Sequence, residues 1–189
     1  MQDNKDFESY WREAFNDSEN INKDGFFITL PNEEIITKTY VIDKTAAENI
    51  FKISKNNSVA EYVILVSAIG YILGRYSNSR KVSVGTADFS DKNGLSPNGI
   101  LPLVLEKDEN LTLKEWIEYI KKSVLEVQKY NNLNIAEYMD KMGLVKEQYV
   151  KTSVSLEEEG NFNTKIKSAE NLFKFYKADS ALKLDASFA

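Results

Sequence analysis

Cysteine and histidine are both absent from the 189 residues of the chain. Without cysteine, the chain cannot form disulfides, zinc thiolate sites or thiol nucleophiles. Without histidine, it lacks the side chain that most often transfers protons near neutral pH, and it can form neither a serine-histidine dyad nor a histidine metal site. Any catalysis by these residues alone would therefore depend on carboxylates, lysines or hydroxyl groups.

Basic residues are too few to suggest a nucleic-acid partner. The 24 lysines and arginines are outnumbered by 29 acidic residues, which gives a formal net charge of -5, and no basic cluster could neutralise a run of phosphates. The first residues, "MQDNKDFESYW", have neither the basic nor the apolar segment of an export signal, so we expect a cytoplasmic protein. The length suits one domain with a real hydrophobic core.

Predicted helices and strands alternate along the chain, which indicates an α/β fold. Phe7, Trp11 and Phe15 lie four residues apart and give residues 1–16 one apolar helical face. Residues 17–33 have the composition of a polar loop. Five segments have the β-branched and aromatic content of strands: "EEIITKTYVI", "KVSVGTADF", "QYVKTSVSLEEE", "NLFKFYKAD" and "ALKLDASF".

Three later helices are predicted from their starts. In a capping box, a polar side chain at the helix start and an acidic side chain three positions on each accept a hydrogen bond from the other's backbone amide. Three pairs have this spacing: Ser58 with Glu61, Thr112 with Glu115, and Asn134 with Glu137. Gly143 is the expected C-cap of the third helix.

The first of these helices, "VAEYVILVSAIGYILGRY", is apolar on nearly all sides. A membrane span is one interpretation, because about 20 mainly apolar residues cross a bilayer. Glu61, Ser67, Gly70, Gly74 and Arg75 interrupt the run, so we predict a buried core helix and no membrane partner. The two glycines, four residues apart, predict a face that another backbone approaches closely.

The stretch "SPNGILPLVL", residues 96–105, joins a turn to an irregular strand. Its Asn-Gly pair readily takes the positive backbone angles of a tight turn. Pro102 offers no backbone donor, which suits a strand at the edge of a sheet. The simplest interpretation of Asn98 is a turn residue with no chemical role.

Three acidic segments imitate chemical sites. "NINKDGFFITLP" follows the spacing of a calcium loop, but its twelfth residue is Pro31 and not the bidentate glutamate. Residues 157–159 are consecutive glutamates, which are typical of a solvated turn. Nothing in the sequence indicates that Asp88 and Asp91 face each other, and the glycines of "VGTADFSDKNG" lack phosphate-loop spacing. We expect no metal and no directly bound cofactor.

Four segments, taken in order, resemble the C-terminal lobe of condensation domains from nonribosomal peptide synthetases. They are "DFESYWREAF", "VILVSAIGYILGRYSNSRKVSVGTADFS", "SPNGILPLVL" and "TLKEWIEYIKKSVLEVQKYNNLNIAEYMDKMGL". Each motif is weak alone, and their order and spacing carry the resemblance. The matching positions are Tyr10, Trp11, Gly85, Thr86, Asn98, Leu101 to Leu103, and Asn132 to Tyr138.

The resemblance implies a chloramphenicol-acetyltransferase-like lobe, an α+β two-layer sandwich with a mixed sheet covered by helices. In that family, phosphopantetheine arms of carrier proteins enter a tunnel between two lobes. The tunnel residues implied here are Gly85, Thr86, Ser96 and Asn98, and the implied partners are an N-terminal condensation lobe and a peptidyl carrier protein. The alternative is a noncatalytic protein-interaction module that keeps the fold without the reaction.

The departures from the family concern catalysis. Its His-His-x-x-x-Asp-Gly motif lies in the N-terminal lobe, and a chain without histidine cannot contain it. Val104 stands where an arginine is common, and Lys92 is the nearest basic residue after the Val-Gly-Thr strand. A final strand and helix are also missing after "LKLDASFA". We therefore expect residues 1–189 to form one incomplete lobe, inactive alone, that self-associates or binds its partner lobe through an exposed edge strand, "ALKLDASF".

Overall fold

A computed structural model describes residues 2–16, 35–77, 81–87, 89, 100–106, 108–131, 134–143, 150–157, 171–178 and 181–188. The helices are α1 (Gln2–Ala14), α2 (Lys44–Ser54), α3 (Ser58–Tyr76), α4 (Leu113–Val127) and α5 (Ile135–Lys141), and a 3-10 turn (Gln128–Tyr130) follows α4. The strands are β1 (Ile36–Val41), β2 (Lys81–Ala87), β3 (Ile100–Glu106), β4 (Thr152–Glu157), β5 (Asn171–Ala178) and β6 (Ala181–Phe188). The predicted polar loop at residues 17–33, which includes the calcium-like segment, lies outside the described residues.

The six strands form one mixed sheet in the order β1-β6-β5-β4-β2-β3. β4 runs parallel to both of its neighbours, and the other pairs are antiparallel. Helix α2 contacts β6, α3 contacts β2 and β4, and α4 contacts β3. The expected α/β fold, with a mixed sheet covered by helices, is therefore confirmed.

Helix α3 is the central helix of this arrangement. Its length and apolar composition alone would let it cross a membrane, but most of its side chains are buried against other elements, as predicted for a core helix. Tyr62 and Val66 are fully buried. The predicted close approach of a backbone is wrong. At Gly70 the neighbour is the Leu105 side chain, 2.7 Å from where a Cβ would lie, and at Gly74 no atom lies within 4 Å of that point.

Helix α3 begins one residue earlier than the capping-box prediction places it. Asn57 is the N-cap, and its side-chain oxygen accepts a hydrogen bond of 2.9 Å from the Ala60 amide. Ser58 is instead the first helical residue, and Glu61 points into the core. The prediction failed because Asn57 takes the N-cap role and because Glu61 pairs with Lys177 of β5 instead.

The other two helix starts agree better with the sequence. Thr112 and Glu115 form a complete capping box, and the hydrogen bonds from Thr112 lower the pKa of the Glu115 carboxyl. Asn134 accepts from the Glu137 amide at 3.2 Å, but the Glu137 carboxylate pairs with a lysine one turn on, so only half of that box forms. Gly143, just past α5, has φ +73°, the left-handed conformation expected there.

Strand β6 lies inside the sheet, between β1 and β5. The expectation that "ALKLDASF" forms an exposed edge is therefore wrong, because alternation of apolar and polar residues shows which face is buried and not whether the strand has two neighbours. Among the described strands, β1 and β3 form the two edges. Pro102 lies in β3, as its missing donor predicted.

Two of the resemblance motifs meet in space although they lie far apart in the chain. Phe7 of α1 packs edge-on against the Tyr138 ring of α5, with centroids 5.2 Å apart, and against Tyr130 at 5.8 Å. The Tyr138 hydroxyl donates to the Glu8 carbonyl at 3.0 Å. Trp11, one turn further, is fully buried. The N-terminal helix is thus packed onto the end of the α4–α5 region.

An ion pair with one buried partner connects α3 to β5. The Glu61 side chain is 2% exposed, and its Oε2 lies 2.9 Å from Lys177 Nζ. Its Oε1 accepts from the Ser54 hydroxyl at 3.3 Å. Lys177 Nζ also lies 4.8 Å from the centroid of the Phe51 ring, a cation-π contact. Burial of an unpartnered polar group is costly, and these contacts provide the Glu61 carboxylate with partners inside the fold.

Removing the positive charge should destabilise the fold. In Lys177→Met the apolar stem is kept while Glu61 loses its ionic partner, so we expect the free energy of unfolding to fall by about 2 kcal/mol. This value lies below the range of about 3–5 kcal/mol for breaking a fully buried pair, because the lysine is partly exposed. Urea denaturation would measure it. The matched control, Glu61→Gln with Lys177→Met, should recover part of the loss, and a double variant no more stable than Lys177→Met would contradict the ion-pair explanation.

Candidate functional site at the end of strand β2

The Tyr62 hydroxyl joins α3 to two strands. It donates to the Val154 carbonyl of β4 at 2.9 Å, and it lies 2.8 Å from the Thr86 hydroxyl of β2. The Ala87 amide donates to it at 3.3 Å. With its single hydrogen on Val154, the Tyr62 oxygen accepts from Thr86 as well. Burial raises the pKa of Tyr62 to about 12, so the hydroxyl stays protonated at neutral pH.

The Gln128 side chain holds the chain where it leaves β2. Its Nε2 donates to the Ala87 carbonyl at 2.8 Å, and its Oε1 accepts from the Phe89 amide at 2.9 Å. The Phe89 ring packs edge-on against Tyr62, with centroids 5.5 Å apart. One amide side chain therefore fixes the backbone on both sides of residue 88.

Residues 88–99 begin and end at this same point of the sheet, because Ala87 pairs with Ile100 of β3. This segment contains Ser96 and Asn98, and both lie outside the described residues. The described residues consequently show where that segment is anchored. Asp88 and Asp91, for which the sequence indicates a loop and no mutual pairing, also lie outside the described residues.

Gly85 lies where three side chains leave no room for a Cβ. An added Cβ would lie 2.3 Å from Ser153 Oγ, 2.7 Å from Ile100 Cγ2 and 2.8 Å from Val150 Cγ1. Ser153 is fully buried, and its hydroxyl has no hydrogen-bond partner among the described residues. The glycine in the Val-Gly-Thr motif is thus required by close packing between β2, β3 and β4.

The predicted tunnel residues divide into two groups. Gly85 and Thr86 are adjacent at the end of β2, but both are buried and the Thr86 hydroxyl is engaged by Tyr62. Ser96 and Asn98 belong to the anchored segment. A tunnel role for these four residues stays a prediction. Among the described residues, no group of three or more acidic side chains could hold a metal ion.

Tyr62 and Gln128 are the site residues that sequence reasoning missed. Tyr62 adds a single hydroxyl to a mainly apolar helix, and burial of its aromatic ring is enough to explain a tyrosine at that position. A signal for Gln128 was available: Trp116, Ile120 and Val124 are buried at four-residue intervals along α4, and Gln128 takes the next position in that row. An amide on an otherwise apolar face indicates a buried backbone group that needs a partner.

No protein-family model matches the chain, and no curated protein matches its sequence. Solved structures do match its fold. The condensation domain from Monacolin K polyketide synthase MokA has a TM-score of 0.73 at 14% identity, and the match covers 99% of this chain and 52% of that one. The chain has the fold of a condensation-domain lobe.

Two further structures give the same result. A chain from the complex of the X-domain and OxyB from teicoplanin biosynthesis has a TM-score of 0.74 at 12% identity, covering 97% of this chain and 47% of that one. A variant of the starter condensation domain of rhizomide synthetase RzmA, in complex with C8-CoA and Leu-SNAC, has a TM-score of 0.71 at 11% identity, covering 100% and 47%. This chain therefore spans about half the length of these structures, and the likeness confirms the resemblance for the fold.

The Tyr62 hydroxyl should contribute measurably to stability. In Tyr62→Phe the Val154 carbonyl and the Thr86 hydroxyl lose a buried partner, so we expect the free energy of unfolding to fall by about 1–3 kcal/mol. Thermal or urea denaturation at pH 7 would measure it. Tyr119→Phe, which removes a part-buried hydroxyl that accepts one amide hydrogen bond, is the control with the smaller expected loss.

The same variant should change the response to alkali. Between the usual tyrosine pKa of about 10 and the Tyr62 pKa of about 12, the unfolded chain releases this proton and the folded chain retains it. Stability must then fall as pH rises, by up to about 1.4 kcal/mol per pH unit from this group. The difference in stability between the native chain and Tyr62→Phe should therefore shrink above pH 10, and a constant difference would contradict the assignment.

Proposed function

We propose that this chain is the C-terminal lobe of a condensation domain and helps form the tunnel in which carrier-tethered thioesters are joined through an amide bond. The proposal is supported mainly by the extent of one fold match, which covers 99% of this chain but only 52% of the condensation domain it matches. A second lobe is needed to make up the rest of such a domain.

The absence of histidine indicates which lobe is proposed here. The family's catalytic histidine motif belongs to the N-terminal lobe, and this chain has none. The motifs that match the C-terminal lobe occur in family order, and those on α1 and α5 pack against each other. We infer that the reacting groups would be oriented on this side by the lobe and acted on from the opposite side.

The proposed role of the site is positional. Tyr62 and Gln128 anchor the chain on either side of residue 88, and the Ala87–Ile100 pair closes the segment. Asn98 and Ser96 would then be presented to the tunnel from a rigid base, while Gly85 and Thr86 secure the base. The partners proposed are an N-terminal lobe and a peptidyl carrier protein whose phosphopantetheine arm enters the tunnel, in the cytoplasm.

A second function is supported by one neighbour. The structure with a TM-score of 0.74 is a chain from a complex of the X-domain with OxyB, so a protein of this fold is found assembled with another protein. A noncatalytic module that binds a protein partner is therefore the alternative. It differs from the first proposal in needing neither a histidine-bearing lobe nor a loaded carrier.

Amide formation should depend on a second lobe. With donor-loaded and acceptor-loaded carrier proteins, the isolated chain should give only the background rate, because it supplies no histidine. Joining it to a histidine-bearing N-terminal lobe, in one chain or in trans, should raise product formation above that rate. Mass spectrometry of the carrier-bound product would detect it. Product from the isolated chain would refute the proposal, and a two-lobed protein that binds a partner without forming product would favour the interaction module.

Asn98 should matter for the reaction and little for folding. In the two-lobed protein, Asn98→Ala should lower the condensation rate by about tenfold, the effect of losing one hydrogen bond of about 1.4 kcal/mol to the tethered substrate. The free energy of unfolding should change by less than about 1 kcal/mol, the range typical of substitutions at surface positions. Asn110→Ala, which alters an exposed asparagine in the turn before α4, is the matched control. Equal rates for both variants would return Asn98 to a purely structural role.

A further inference from the structure

Strand β1 leaves one edge of the sheet open. Among the described strands only β6 pairs with it, and all six of its residues are exposed. Three of them are large and apolar: Ile36 is 44% exposed, Tyr40 50% and Val41 66%. A flat edge with apolar side chains and free backbone groups is a template for another strand.

The opposite edge is protected, which makes the exposure of β1 specific. In β3, Pro102 has no amide to offer. The Glu106 amide is already occupied, since it donates to the Tyr119 hydroxyl at 3.1 Å. The residues of β3 are buried or half-buried throughout. Within the described part of the chain, the β3 edge is thus blunted and the outer side of β1 has no strand beside it.

The free backbone groups of β1 can be identified from one hydrogen bond. The Ile42 amide donates to the Leu182 carbonyl of β6 at 2.9 Å. In an antiparallel ladder, alternate residues direct their backbone groups to the same neighbour. Even-numbered residues of β1 therefore face β6, and the amides and carbonyls of Thr37, Thr39 and Val41 face outward.

We propose that β1 pairs with β1 of a second copy of this chain, antiparallel about a two-fold axis at Thr39. In this register Thr39 meets Thr39 and Thr37 meets Val41, so every outward amide and carbonyl of the strand finds a partner. Lys38 lies opposite Tyr40 of the other copy, where a cation-π contact forms at the close, non-hydrogen-bonded position. The two sheets then form one continuous sheet in which the helix-covered faces of both copies lie on the same side.

Charge selects this register over its neighbour. A shift that centres the pair on Lys38 would place two ammonium groups directly opposite each other, which is unfavourable. The strand is therefore complementary to itself in the proposed register, as a closed two-fold interface requires. One strand from each copy buries much less than the area of about 1,200 Å² typical of stable complexes, so the dimer should be weak, with a dissociation constant on the order of tens of micromolar.

Sedimentation of the chain by itself tests the proposal, without carriers or a second lobe. Analytical ultracentrifugation should show a shift from monomer to dimer as the concentration rises through tens of micromolar. Thr39→Pro removes the outward amide at the axis and leaves the backbone hydrogen bonds between β1 and β6 intact, and it should raise the dissociation constant at least about tenfold. Thr39→Val is the matched control: it loses the side-chain bond to Asp185 but keeps the amide, so it should still dimerise.

Single-cysteine variants test the register, because the native chain contains no cysteine. Under mild oxidation Thr39→Cys should form a disulfide-linked dimer, since the paired Cα atoms would be about 5.5 Å apart. Lys38→Cys should cross-link far less, because its counterpart would lie more than about 7 Å away. Tyr76→Cys, an exposed position at the end of α3, controls for random collision.

The outcomes are distinct from those for the proposed function. A chain that remains monomeric to about 0.5 mM, well above the expected dissociation constant, would overturn the proposal. So would a dimer that survives Thr39→Pro, or cross-linking of Lys38→Cys in preference to Thr39→Cys. If Thr39→Pro does not fold, the cysteine pair alone decides. A strand supplied by another protein in place of a second copy would appear as a monomer here and would likewise count against it.

Discussion

The Tyr62 hydroxyl spans the weakest junction of the sheet. β2 and β4 pair over only two residue pairs, Val84 with Thr152 and Gly85 with Ser153. Among the described strands, this short ladder alone joins β3 and β2 to the four strands on the other side. The Tyr62 hydroxyl is hydrogen-bonded to β2 on one side and to the Val154 carbonyl of β4 on the other. Helix α3 therefore adds a link between two strands that pair with each other over a short distance. Because the oxygen is buried, leaving these partners unpaired would be costly.

Gly85 serves the same junction from the opposite face. A Cβ at this position would overlap the side chains of Ser153 in β4 and Ile100 in β3. Only glycine therefore lets β2 lie this close to both β4 and β3. It also pairs with Pro102, whose missing amide is tolerated because β3 has no further neighbour among the described strands. Pro102 of "SPNGILPLVL" is thus consistent with a strand that pairs on one side with the glycine of β2 and has no described neighbour on its other side.

The sequence predicted most elements because their signals are local. Phe7, Trp11 and Phe15 are spaced as a helix face and are buried, and the Thr112–Glu115 box needs only four consecutive residues. The order of strands could not be predicted in this way, since "ALKLDASF" looks the same with one neighbour or two. Glu61 shows the same limit: its spacing from Ser58 favoured a cap, but Lys177, more than a hundred residues away, determined where it points.

The site shows the limit more sharply, because its main contacts are between distant residues. Thr86 and Gly85 were found through a resemblance, whereas Tyr62 and Gln128 converge on Ala87 from α3 and from the end of α4. Only a folded chain brings them together. Polar atoms on buried faces, such as Gln128 after Val124, are the part of this signal that a sequence does contain, since each buried polar group must have a partner.

Stability and the proposed activity are therefore assigned to different parts of the chain. The anchoring side chains of Tyr62 and Gln128 are fully buried and half-buried, and Tyr62 belongs to the same core as Trp11, Leu103 and Ile120. The residues proposed to meet substrate belong to a segment that leaves the sheet at Ala87 and returns at Ile100. Connecting segments on a rigid scaffold commonly carry binding residues because their composition can change without cost to the core. A lobe built in this way can keep its fold while its segment adapts to a new substrate or, if the reaction is lost, to a new protein partner.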